Sequence, residues 1–64
     1  MAHEILKRYG DKVRVVTRPP YHVVVQEWGG ADWRDVGEYH RVSDDYAFTN
    51  AYEHAERHAR KLDS

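Results

Sequence analysis

The chain has 64 residues, 41% hydrophobic and 33% charged, with a formal net charge of −1 and no cysteine. That length suits one small domain, and the absence of cysteine excludes disulfides and thiolate zinc sites as its means of stabilisation. The longest aliphatic run, Val23-Val24-Val25, is far below the roughly 20 apolar residues that cross a bilayer, and the N-terminus lacks an apolar signal core. The expectation is a cytoplasmic protein with no membrane partner.

Residues 2–9 admit two readings. Ile5, Leu6 and Tyr9 suit one face of a helix closed by Gly10. Gly10-Asp11 also suits a two-residue loop joining a strand over 4–9 to the next, and this reading is preferred because the chain is extended from Lys12 onward. Lys12 to Thr17 alternates, with Val13, Val15 and Thr17 on one face and Arg14 and Val16 on the other. Arg18-Pro19-Pro20 ends that strand, because proline lacks a ladder donor and belongs in a turn.

Tyr21 to Trp28 is the next strand, with Tyr21, Val23 and Val25 pointing opposite to His22, Val24, Gln26 and Trp28. Valine on both faces predicts a central strand covered on both sides. Gly29-Gly30-Ala31-Asp32 is a hairpin loop. Trp33 to Val42 returns as a strand whose alternation breaks at Gly37. A bulge or kink within a residue or two of Gly37 would turn both Val36 and Tyr39 inward.

Ser43-Asp44-Asp45 is turn-like, and a helix is predicted over 49–62. Phe48, Ala51, Tyr52, Ala55, Ala59 and Leu62 form its apolar stripe, with Phe48 and Tyr52 supplying the bulk. Thr49 or Asn50 can cap it, or Ser43 if it starts earlier, and Arg57, Arg60 and Lys61 complement the dipole at its end.

The expected fold is α+β: an antiparallel meander of three or four strands over 12–42, or including 1–11, with one C-terminal amphipathic helix on one face. One helix covers one face only. The side bearing Val24 and Trp28 is therefore expected to be covered by a partner or a second copy, which makes a homodimer one of the readings.

Charge is segregated along the chain: residues 1–18 carry a net +3, residues 19–53 a net −5, and the last stretch a net +1. Nothing in the sequence assembles an enzyme. Ser43, Ser64, Thr17 and Thr49 have no base arranged beside them, Asp44-Asp45 lies in a polar loop, and Gly29-Gly30 lacks the spacing and lysine of a phosphate loop. No cofactor and no small-molecule substrate is expected. His54 and His58, four residues apart, are the pair spaced to share a divalent cation, but no third ligand accompanies them and Ala55 stands where the zinc-protease pattern needs glutamate. No metal site is assigned. His22 and His40 are expected to pair across neighbouring strands.

The aromatic residues are more informative. Trp28 and Trp33 flank the double-glycine loop, where they can form a cross-strand pair, a protein-binding anchor or, beside Arg34, a base-stacking platform. The preferred contact surface is Trp28, Trp33, Arg34 and Tyr39 with an acidic rim of Asp32, Asp35 and Glu38. An alternative nucleic-acid surface uses Lys12, Arg14, Arg18, Arg57, Arg60 and Lys61, provided that they converge.

Tyr21-His22-Val23-Val24, Trp33, Phe48-Thr49, Ala51, Ala55 and Ala59-Arg60 together resemble an uncharacterised family of short bacterial proteins. That family has a Tyr-His-Val-Val strand, a tryptophan-bearing return strand, a Phe-x-Thr-like helix entry and an alanine-rich helix. The loop from Glu27 to Asp32 departs from it, and its Gly-Glu-Leu strand after the helix has no counterpart before Ser64. The resemblance implies a hairpin-plus-helix architecture and no activity. In style the chain is also similar to small bacteriophage accessory proteins, which would place it in a host cytoplasm. The expected function is a small non-enzymatic protein-interaction module, with nucleic-acid binding and structural homo-oligomerisation as the alternatives.

Overall fold

The alternating valines and their glycine and proline breaks become four strands in the computed structural model, which describes residues 4–63. They are β1 (Glu4–Tyr9), β2 (Val13–Arg18), β3 (His22–Trp28) and β4 (Trp33–His40), followed by one helix, α1 (Ala47–Asp63). Each strand pairs antiparallel with the next, so the sheet order is β1-β2-β3-β4. The fold is the expected α+β meander with its C-terminal helix. Residues 4–9 are strand, not helix; residues 2 and 3 of that segment lie outside the described residues.

β2 and β3 each begin one residue later than expected, at Val13 and His22, and the C-terminal ends of two strands also differ. β2 extends through Arg18, which pairs with His22 across the turn containing the cis Pro19–Pro20 bond. β4 stops at His40, short of Val42, although one more backbone bond follows the ladder, from the Arg41 N–H to the Tyr21 carbonyl at 2.7 Å. There the chain folds back: the backbone N–H groups of Val42 and Ser43 both donate to His40 Nδ1 at 3.3 Å. The tip of the β3–β4 hairpin is closed by a 2.8 Å bond from the Gly29 N–H to the Asp32 carbonyl, and Gly30 takes a φ of 97°, a conformation that side chains disfavour.

The bulge predicted near Gly37 is present. Val25 lies opposite Gly37 and Gln26 opposite Asp35, leaving Val36 as the extra residue. Parity shifts by one, and both Val36 and Tyr39 pack against the core. A second irregularity lies between Ile5 and Lys7 in β1, and Leu6 there also packs inward.

The helix starts two residues earlier than expected, and its cap is neither Thr49 nor Asn50 nor Ser43. Asp44 closes it: one carboxylate oxygen accepts the Tyr46 N–H at 2.9 Å and the other accepts from Asn50 Nδ2 at 3.0 Å. Ala47, Ala51 and Ala55 recur every fourth residue and are fully buried against the sheet. Their small side chains bring the helix close to Val13, Val15, Val23 and Val25, which complete the core. Tyr52 packs against this core as expected. Phe48 does not supply bulk to it: 38% exposed, it lies beneath the Arg41 guanidinium at 5.2 Å. Leu62 is likewise exposed.

Candidate functional site

The register lays out the helix-free face row by row, since alternate residues share a face. One row runs Arg18, His22, His40; the next Ile5, Val16, Val24, Glu38; the next Arg8, Arg14, Gln26, Asp35. The last holds Trp28 opposite Trp33, beside Lys12, whose carbonyl accepts the Trp28 N–H at 2.8 Å.

Val16 and Val24 occupy the middle of this face, and both are completely buried. The single chain already covers them, whereas the valine pattern suggested that this side lay open. Arginine arms are laid across the sheet on this face. Arg18, opposite His22, reaches over β3 to grip Asp35 with two hydrogen bonds of 2.7 and 3.0 Å, and its path crosses Val24. Glu38 stands 3.7 Å from the same guanidinium. Arg14 also crosses β3, donating from Nε to Gln26 at 2.8 Å while its guanidinium lies 4.1 Å from the centre of the Trp33 ring.

Gln26, 4% exposed, joins the two arms: its oxygen accepts from Arg14 and its Nε2 donates to Asp35 at 2.9 Å. No buried side-chain polar atom is left unsatisfied among the described residues. The Asp35 hydrogen bond pushes the Arg18 pKa up, whereas burial, and after it the like charge of Arg8, pushes that of Arg14 down.

At the hairpin end of the same face the Trp28 and Trp33 rings meet at 5.4 Å and 59°, both half-buried. The cross-strand pairing expected of them is present. At the opposite end His22 and His40 lie directly across from one another, edge to face at 5.0 Å. Between the rings and the histidines lies a surface held in place by its own hydrogen bonds.

The predicted contact set is not all on this face. Trp28, Trp33, Asp35 and Glu38 share it, and Asp32 stands at the adjoining loop. Arg34 and Tyr39 belong to the helix side. Arg34 pairs with Glu27 at 3.2 Å, and the Tyr39 hydroxyl is 3.0 Å from His54 Nδ1. Arg34 points away from its neighbour Trp33 by ordinary strand alternation, and the bulge at Val36 moves Tyr39 out of parity with Trp33.

The alternative basic set also fails to converge. Arg14 and Arg18 cross the helix-free face, while Arg57, Arg60 and Lys61 ride on the helix packed against the other one. Arg57 and Arg60 pair with Glu53 and Glu56 on the same helix.

The histidines of α1 are structural contacts between helix and sheet. His58 Nε2 lies 2.6 Å from Glu27 Oε1, and this bond holds the Glu27 pKa below its ordinary value. His54 covers Gly37 so closely that a Cβ there would overlap the imidazole. Burial, then the charges of His58 and Arg57, push the His54 pKa down. No group of three or more metal-ligating side chains capable of holding an ion occurs among the described residues. His54, Arg57, His58 and Lys61 border an open depression, and Tyr9, Lys12, Val13 and Leu62 help line a cleft of about 130 Å³, small beside the several hundred Å³ usual for ligand pockets.

Sequence periodicity missed Arg8, Arg14 and Gln26 as parts of one surface; their shared parity with Trp28 was the signal that held it. Compared with protein-family models, curated proteins and solved structures, the chain matches none. No helix among the described residues is long and apolar enough to cross a membrane.

Proposed function

We propose that this chain is a non-enzymatic protein-interaction module that receives its partner on the helix-free sheet face, at the Trp28–Trp33 end. The observation that carries this reading is the half-buried indole pair standing beside a hydrogen-bonded platform outside the helix-covered core. Tryptophan and arginine dominate binding hot spots, and side chains already fixed before binding lose little freedom on association. Arg14, held by Gln26 and stacked on Trp33, meets both conditions. Asp35 and Glu38 border the patch. Nucleic-acid binding through the basic strand and helix end has less support, because those residues lie on different sides of the molecule. Homo-oligomerisation loses its main argument once Val16 and Val24 are buried within the single chain.

Affinity capture from a lysate of the source cell tests the reading. A protein retained by the native chain is expected to be lost from the Trp28→Ala and Trp33→Ala columns while both variants keep native circular dichroism. Retention by both variants, or unfolding of both, would overturn the assignment and leave the rings a structural pair.

A further inference from the structure

Four arginines pair with carboxylates of the chain itself. Arg18 pairs with Asp35 and Glu38, Arg34 with Glu27, Arg57 with Glu53 and Arg60 with Glu56. No salt bridge joins Arg8, Lys12 or Arg14 to a carboxylate among the described residues; Arg8 and Arg14 share the helix-free face, and Lys12 stands in the adjoining turn, where it also lines the cleft against α1. Arg8 is directly across from Arg14, and Lys12 is bonded through its backbone to Trp28. Arg8 and Lys12 are exposed, and Arg8 is close enough to depress the Arg14 pKa. Like charges placed side by side on a strand pair are destabilising. Here they border two half-buried indoles.

We infer that the segment captured here is an acidic, apolar stretch of a partner protein, with carboxylates against Arg8, Lys12 and Arg14 and an apolar side chain on Trp28 and Trp33. This rests on the protein-binding reading above and adds the chemistry of the partner. A polypeptide fits better than a nucleic acid because the cationic strip is short and bounded by carboxylates. Exposed Asp11 and Asp32 stand in the two turns at its end, and exposed Asp35 and Glu38 lie farther along the face. A continuous phosphate chain would meet one of these, whereas an extended peptide presents same-side charges only about every 7 Å and can place uncharged residues elsewhere.

The test titrates the full chain with a short peptide of alternating glutamate and phenylalanine, the same peptide with lysine for glutamate, and single-stranded oligothymidylate. The glutamate peptide is expected to move both indole N–H resonances, with an affinity that falls as salt rises. The Arg8→Glu/Lys12→Glu double variant, folded by circular dichroism, is expected to bind it roughly tenfold or more weakly. The lysine peptide should leave the indoles unmoved. Equal binding of the lysine peptide, tighter binding of oligothymidylate, or no response to any probe would overturn the inference. A protein lost from the Trp33→Ala column yet retained by the double charge variant would overturn the acidic preference alone and leave the broader reading standing.

Discussion

Two residues set limits on what each face tolerates. Gln26 is the one buried polar side chain among the described residues, and it is buried because Arg14 and Asp35 saturate it from both sides. Gly37 is required for a different reason: the His54 ring occupies the space of its missing side chain. Gly37→Ala is therefore expected to cost about 1–3 kcal/mol through overpacking. In Gly37→Ala/His54→Ala the loss should be smaller than the sum of the single losses, because the second change vacates the contested space. Urea unfolding of the four proteins checks this, and simple additivity would refute the steric account. The sequence marked Gly37 only as a break in alternation. That the break also made room for a ring on α1 depends on a contact between residues far apart in the chain, which periodicity does not report.

Among elements, the seam between α1 and the sheet carries both a valine–alanine core and a titratable flank. His54 has its pKa held below the ordinary 6.5, so below that pH the unfolded chain takes up a proton that the folded chain resists. Glu27, held below 4.5 by His58, behaves in the same sense: its contribution is present above 4.5 and is lost as pH falls toward its folded value. Stability should thus fall with acid in two stages, the first below 6.5 and the second below 4.5. Denaturant midpoints across this range check the prediction, and His54→Gln should remove the first stage only. The elements themselves were legible in the sequence, because alternating valines, the Gly29-Gly30 loop and the alanine spacing are local signals. Helix capping by Asp44 was less so. Several polar residues precede Ala47, and which of them turns back depends on where β4 ends.

For the molecule as a whole, the two faces are stabilised by different means. Under the helix lie small apolar residues in direct contact; on the other side, valines lie under arginine arms tied to Gln26 and Asp35. An apolar pattern alone registers Val24 as uncovered, since it does not count the aliphatic length of an arginine. Arg18→Ala should uncover Val24, lower stability by roughly 1–2 kcal/mol as charged hydrogen bonds at a part-exposed site are lost, and promote self-association. Sedimentation should show a monomer for the native chain and heavier species for the variant; a native dimer would contradict the self-covered face. The pairing of Trp28 with Trp33 has an optical consequence as well. Both tryptophans of the chain sit at one end of one face, and their rings are close enough for their excited states to couple. Tryptophan fluorescence, excited beyond the tyrosine band, therefore reports on that end, while the coupled indoles add their own signal to the far-ultraviolet dichroism from which helix content is read.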